Sequence, residues 1–378
     1  GQWRPRVAGA DDVGGAAGRE CRAGEKGGWT GGHLDLAMQP ATPQTVLGDV
    51  DDAGFEHFGV RSRFHRDGDR FLVTTDGLDG ALTEYEVEYV FGVEPLQQYL
   101  VPFPDGRYQV LPLCWDSRPA AQGGQRWFHL YSRTPVPAGD ILHWTGPNQN
   151  WNHVCAECHS TDLRKGYALA EDRFDTTWAE IDVSCEACHG PGSAHLAWAE
   201  ARGEGPLEAG EEARLAVPLG DTDRGYWGFE EGATTADRRP PRAARPEMEM
   251  CARCHSRRSQ IAPYEPGLPF LDTHRPALLE QGLYHADGQI LDEVYVWGSF
   301  VQSRMYAAGV TCSDCHEPHT TKLRTSGDGV CNACHSPAAY QGREHHFHDP
   351  AQEGASCVAC HMPETTYMVV DPRRDHSI

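Results

Sequence analysis

Six copies of Cys-x-x-Cys-His stand between residues 155 and 361 of this 378-residue chain. The first three are Cys155, Cys158 and His159; Cys185, Cys188 and His189; and Cys251, Cys254 and His255. The last three are Cys312, Cys315 and His316; Cys331, Cys334 and His335; and Cys357, Cys360 and His361. In such a pentapeptide two thiols add across the two vinyl groups of a porphyrin, and the adjacent imidazole ligates the iron from the proximal side. With 14 Cys and 20 His in the chain, chance would supply about 0.03 such motifs. The motifs therefore predict six haem c groups and their irons, held through twelve thioethers and six proximal histidines.

Two other uses of paired cysteines fit less well. Cys-x-x-Cys knuckles build tetrahedral zinc sites, but zinc does not need a His directly after every second Cys. A disulfide framework belongs to short chains, and its cysteines would not fall in identical pentapeptides.

Fourteen histidines remain for the sixth coordination position. A second imidazole makes a low-spin iron suited to electron transfer, whereas an open position admits substrate. Local context singles out His33, ahead of Leu34-Asp35-Leu36-Ala37-Met38, and His153, two residues before Cys155. It adds His195 after a Gly-Pro-Gly loop, His285 in a loop, His319 in His-Glu-Pro-His, and His376 beside Arg373, Arg374 and Asp375. The cluster His345, His346 and His348 is expected to supply one ligand, taken here from His346 and His348. His57, His65, His129, His143 and His274 lack such settings and read as structural or solvent-facing. His143 is the first exception to test, because Trp144 and Trp151 flank the approach to the first motif. Met38, Met362 and Met368 read as packing residues rather than thioether ligands.

The elements that must position these groups follow from composition and pattern. The apolar share is 39%, below the usual range of about 45–50%, so porphyrins must supply part of the apolar interior. The expected fold is a multihaem cytochrome c of irregular loops and short helices around stacked haems, preceded by an antiparallel β-rich region. Residues 1–45 form a Gly-rich N-terminal segment, 46–145 carry no haem motif and read as four to six strands, and 146–378 form the haem domain. Strands are expected over 61–66 and 69–75 about an Asp67-Gly68 turn, over the alternating run 83–91, and over 108–113 and 126–131. Pro112 limits the strand 108–113 to an edge or an end. Within the haem domain, 201–246 reads as a charged surface insertion, and 195–201 and 276–281 as short helices. Motif starts are 30, 66, 61, 19 and 26 residues apart, so the closely spaced motifs should hold neighbouring haems.

The net charge of −22 argues against nucleic acid and favours redox partner proteins with cationic docking surfaces. No apolar run is long enough to span a membrane. Bacteria attach haem c outside the cytoplasmic membrane, which implies a periplasmic or extracellular protein.

Asn150-Trp-Asn-His153 before the first motif, with Cys-Glu-Ala-Cys-His-Gly-Pro-Gly-Ser at 185–193, Cys-Ser-Asp-Cys-His at 312–316 and Cys-Val-Ala-Cys-His-Met-Pro at 357–363, resembles a bacterial multihaem cytochrome c family. That family is often tetratricopeptide-associated and is related to the tetrahaem electron acceptor of hydroxylamine oxidoreductase. The resemblance runs from about residue 27 and implies electron transfer, with a minority of relatives reducing nitrogen or sulfur oxyanions. It also implies a distal-ligand role for His195. Where the family opens with a further haem motif, Cys21-Arg-Ala-Gly24-Glu25 stands here, which we read as a lost haem site. Relatives continue into helical repeats beyond the position of Ile378, so partner binding through such repeats is not carried over. Cys21 and Cys114 fall outside the motifs, and a bond between them is chemically permitted outside the cytoplasm.

The residues thus point to an electron carrier with mostly bis-His haems. Two other readings stay open. One is a reductase at a single five-coordinate haem, with His255 as its proximal ligand and Arg257, Arg258 and Tyr264 around a bound oxyanion. The other is self-association into a filament through terminal haems. Arg253, Arg257 and Arg258 are also candidates to pair with propionates. A haem assay on protein of known concentration should return six haems per chain; a lower count would mean that some pentapeptides are unused.

Overall fold

The computed structural model describes residues 11–14, 23–202, 214–220 and 225–378; Cys21 lies outside them. The chain divides into two compact units. One comprises Gly14–Ala187 and Met368–Asp371; the other comprises 11–13, Cys188–Tyr367 and Pro372–Ile378 among the described residues.

The first unit is built on ten strands that fall into two antiparallel sheets. They are β1 (Met38–Pro40), β2 (Ala53–His57), β3 (Val60–Asp67), β4 (Arg70–Asp76), β5 (Leu82–Val87), β6 (Tyr89–Phe91), β7 (Leu96–Pro102), β8 (Tyr108–Val110), β9 (Leu113–Asp116) and β10 (Arg126–His129). One sheet has the order β2-β3-β4-β5, the other β1-β6-β7-β9-β10 with β8 against β7. The hairpin expected about Asp67-Gly68 forms, with Asp67 opposite Arg70 and Gly68 at a φ of 62°. The run 83–91 is not one strand. It breaks at Glu88, so that Leu82–Val87 joins one sheet and Tyr89–Phe91 the other. Pro112 likewise separates β8 from β9, since it has no N–H for a ladder. Nine of these strands lie within 46–145 and exceed the four to six expected there, in part because a run that reads as one strand in sequence changes sheet midway.

Period-2 alternation explains the core. Phe64, Phe71, Val73 and Val87 of the four-stranded sheet meet Val90, Tyr99, Val101, Leu113, Trp115 and Trp127 of the other in one buried cluster. The alternate positions Phe91 and Leu100 face the opposite side, where they pack with Met38, Val110, Trp151 and Ala156. The central strand β7 is therefore buried on both faces, and its second face receives the segment that carries the first motif. This is why residues 146–187 fold with the strands rather than with the later motifs. Met38 is 1% exposed there, a packing residue as expected.

The second unit has little regular structure: short helices, two-residue and three-residue ladders, and small clusters such as Met248, Phe300 and Val310. The helix expected near 195–201 spans Ser193–Arg202. The one expected over 276–281 is absent: Pro276 ends a short strand, His274–Pro276, that pairs with Arg258–Gln260, and 277–281 are irregular. Part of 201–246 is built into the fold: Ala236 is buried, and its N–H donates to the Cys334 carbonyl (2.8 Å).

Several histidines expected to be structural are accounted for here. His143 is buried, with Nε2 3.1 Å from Asp76 Oδ2 and Nδ1 2.8 Å from Thr145 Oγ1, so neither nitrogen faces a metal. His65 Nε2 pairs with Glu84 (3.2 Å). His274 is buried against Phe270, with Nδ1 2.8 Å from Thr273 Oγ1. Cys114 is wholly buried, and its thiol donates to the Pro112 carbonyl (3.7 Å).

His57 and His129 stack at 3.9 Å. Burial, with His57 close by, pushes His129 down to about 4 from 6.5. Its folded value is depressed, so the unfolded chain binds the extra proton between about pH 6.5 and 4 and the fold loses stability as pH falls through that window. Thermal unfolding followed by circular dichroism should show the melting temperature dropping across it in the native chain. His129→Phe should flatten the drop, and an unchanged slope would refute the assignment.

Candidate haem sites

A helical turn places residues i, i+3 and i+4 on one face, so Cys-x-x-Cys-His presents both sulfurs and the imidazole together. The motifs adopt that turn: Ala156–His159, Cys185–His189, Pro246–His255, Cys312–Cys315, Gly329–Asn332 and Cys357–His361 are helical. The second sulfurs Cys158, Cys254 and Cys360 each lie within such a turn, directly before the histidine that closes it. The third turn has Pro246 at its start and Glu247 and Glu249 near its positive end, all favourable at a helix start. The fourth is closed by a capping box in which Thr311 N–H donates to Asp314 Oδ2 (2.8 Å).

Several turns are anchored by specific polar contacts. Asn150 caps the helix that leads into the first motif and donates to Gln109 Oε1 (3.1 Å); Gln109 in turn donates to the Trp144 carbonyl (2.8 Å). Asn152, wholly buried, accepts from Tyr108 N–H (2.7 Å) and donates to Thr176 Oγ1 (2.8 Å). The Asn150-Trp-Asn phrase thus locks the first motif to the sheet. Gly106 must be glycine there, because its φ is +80° and a Cβ would lie 2.1 Å from the Phe174 carbonyl oxygen. Gly190, next to His189, has a φ of +68°, and a Cβ would meet Pro266 at 2.7 Å. Asp328 caps the sixth turn, accepting from Cys357 N–H (3.0 Å) and Ser356 Oγ–H (3.2 Å), and itself precedes the fifth.

The imidazoles are prepared as ligands. Burial holds His159, His255, His316, His335 and His376 below the usual imidazole range, so they stay neutral. Nδ1 of His159 lies 3.4 Å from the Ala37 carbonyl, that of His189 3.3 Å from Val217, and that of His376 2.9 Å from Arg374. His319 Nδ1 lies 3.0 Å from Glu317 Oε1. With Nδ1–H donating to an oxygen, Nε2 carries the lone pair a metal needs.

Three proximal imidazoles each face a histidine from outside the motifs. The ring centroids of His189 and His319 are 6.4 Å apart with planes at 19°, those of His316 and His376 6.5 Å apart at 30°, and those of His345 and His361 6.0 Å apart at 7°. Two imidazoles on one metal, with bonds of about 2 Å and about 1 Å more from each nitrogen to its ring centre, require about 6 Å. Direct stacking, as in His57–His129, is far closer.

Of the expected distal candidates, the structure therefore sets His319 and His376 opposite motif histidines. His319 faces the second motif rather than the fourth, which it follows. In the terminal cluster it is His345, not His346 or His348, that stands opposite His361. His346 has both nitrogens engaged, Nε2 3.0 Å from the Gln341 carbonyl and Nδ1 accepting from His348 N–H (3.2 Å). His348 lies over Gly354, whose Cβ would fall 2.8 Å from its ring. His195 stacks on Trp198 at 5.4 Å. His33, His153 and His285 are exposed and are not set against a motif imidazole by any ring contact described. Sequence context already held His345 in its cluster. Helical phase within Arg343–His346 would have been the signal to prefer it.

The surroundings fit porphyrins. All twelve motif cysteines are accessible: Cys185 and Cys360 are exposed, and the others, Cys158 and Cys254 among them, are half-buried. Cys114, which has no motif, is fully buried. The indole N–H groups of Trp151 and Trp297 are buried without an acceptor, and a propionate carboxylate would satisfy such a donor. Of the arginines named for propionates, Arg253 sits over the Tyr264 ring at 3.4 Å and Arg257 donates to the Glu293 carbonyl (3.2 Å).

Residues 143–190 match the family model described as cytochrome c554 and c-prime. No curated protein sequence matches the chain. Among solved structures, the outer cell wall cytochrome OcwA aligns with a TM-score of 0.58 and 16% identity, over 97% of this chain and 79% of that one. An undecaheme cytochrome from the S-layer of Carboxydothermus ferrireducens aligns with a TM-score of 0.44 and 16% identity over 97% of this chain. The chain spans about half the length of that protein (53%). No helix among the described residues is long and apolar enough to cross a membrane. Repeated attachment pentapeptides, a family match over the first two of them and a fold shared with one solved cytochrome make this chain similar to multihaem c-type cytochromes.

Proposed function

We propose that the chain is an extracytoplasmic hexahaem electron carrier whose irons are mostly bis-His. The observation that carries this reading is the set of three facing imidazole pairs at 6.0–6.5 Å. On this reading His189 pairs with His319, His316 with His376, and His361 with His345 as axial partners. Haem c, when bound, supplies the one-electron couple, and six-coordinate ligation keeps its geometry nearly constant between oxidation states.

The protein's part is to hold and tune. Carbonyls of Ala37, Val217 and Arg374 and the Glu317 carboxylate fix the ligating tautomer of their histidines. Close approach of motif sulfurs supports neighbouring attachment sites: Cys251 lies by Cys312, and the Cys331 and Cys357 thiols are in hydrogen-bond contact. The order of motifs three to six would then also be an order of transfer. The name of the structural neighbour OcwA supports an extracellular setting, and the net charge of −22 supports a cationic redox partner. Occupied side chains weigh against the reductase reading, because Tyr264 lies under Arg253 and Arg257 holds a backbone carbonyl.

Low-temperature EPR of the oxidised holoprotein tests the assignment. The native protein should show low-spin signals. His319→Ala, His376→Ala and His345→Ala should each convert one haem in six to high spin, while His346→Ala should not. A high-spin haem created by His346→Ala but not by His345→Ala would overturn the sixth pairing. A native high-spin haem that responds to nitrite would favour the reductase.

A further inference from the structure

Glu247 is a carboxylate in an unusual place: 8% exposed and pressed between two haem-attachment sulfurs. Its carboxylate oxygen and the Sγ atoms of Cys251 and Cys312 all lie within 4.8 Å of one another. The arrangement has two sources. Glu247 and Cys251 are four residues apart on the helix Pro246–His255 and so share a face. Ser313 then brings the fourth motif to the same point, donating its N–H to Glu247 Oε1 (2.6 Å) and its Oγ–H to Oε2 (2.6 Å). Met248 Sδ, 3.7 Å from Cys312 Sγ, closes the apolar side.

Two sulfurs and a carboxylate resemble a zinc site. In the mature protein, however, both sulfurs are thioethers bonded to porphyrins and neither can become thiolate, leaving one anionic donor. The neighbouring charges do not cancel Glu247. Asp314 is matched by Arg242 (2.7 Å) and accepts from Trp227 Nε1 (3.0 Å), while Arg245 stacks on Tyr306 at 4.4 Å.

We propose that Glu247 sets the reduction potentials of the third and fourth haems together, its buried charge stabilising the oxidised state of both. The inference rests on the hexahaem reading. A fixed negative charge in a low-dielectric interior opposes the added electron, and burial and hydrogen bonds are known levers on haem potential. One residue shared between two sites makes the pair shift as a unit. The two Ser313 bonds fix the carboxylate and moderate its charge.

The test is a spectroelectrochemical titration of the full-length holoprotein, with haem counted on the same sample. Glu247→Gln keeps the shape and an acceptor for Ser313 N–H but removes the charge. It should raise two of the midpoints, changing the oxidised-to-reduced ratio at fixed potential about tenfold, about 59 mV for a one-electron couple, and move the rest less. Unmoved midpoints, or a uniform shift of all, would overturn the proposal. If Glu247→Gln fails to load haem, Ser313→Ala decides. It removes one bond to the carboxylate and should lower the same two midpoints, whereas unchanged or raised values refute the role. The native haem count tests the hexahaem reading separately, since six haems with unshifted potentials would fail Glu247 alone.

Discussion

The motif-bearing turns fit one covalent requirement: in a c-type haem site two sulfurs and an imidazole must meet one porphyrin edge and face at the same time. A helical turn satisfies this locally, because positions i, i+3 and i+4 coincide on one side. The requirement then propagates outward. Each turn needs its own anchor, its imidazole needs an oxygen at Nδ1, and the sulfurs must face open space. The accessible motif cysteines agree with that requirement. Porphyrins held at six such turns would take the place of apolar side chains, in keeping with the low apolar share and the short elements around the motifs.

The strand-built unit solves the opposite problem. Its core is made of its own aromatic and β-branched residues, with Phe64, Val73, Tyr99, Trp115 and Trp127 in one cluster. Several polar groups taken into it are bonded: Gln109, Asn150 and Asn152 bridge sheet and first motif, and His143 with Asp76 closes a buried pair. Such networks specify geometry more than they add stability, since a buried amide that loses one partner is costly. The strand β7, buried on both faces, transmits the position of the sheet to the first attachment site.

Electrostatics works at two ranges. The large negative net charge acts over the surface, where salt screens it, and bears on which partners approach. Inside, individual groups matter more. Glu317 beside His319, Asp328 between the fifth and sixth turns, and Glu247 beside Cys251 and Cys312 each place a carboxylate against a motif or a candidate ligand. These acidic residues look alike in the composition and differ only in what they touch.

The candidate haem-attachment residues stand out in the sequence because the chemistry they suggest is local: five consecutive residues contain the whole requirement. Alternation likewise disclosed the β-rich region, and Asp67-Gly68 its first hairpin, since turn and strand preferences act over a few residues. Partnerships across the chain were not legible. Nothing near His319 says that it faces His189, 130 positions away, or that Ser313 reaches Glu247. His345, His346 and His348 are indistinguishable until the turn Arg343–His346 sets which ring points at His361. The helix expected over 276–281 is absent, Pro276 instead ending a strand that pairs with 258–260, and the strand expected over 83–91 was shared between two sheets. Sequence by itself determined which atoms can bond to haem, because covalent chemistry needs only neighbours. The tertiary structure decided which imidazoles oppose one another and which carboxylate sits beside the sulfurs, because burial and direction come from contacts that close only when the chain folds.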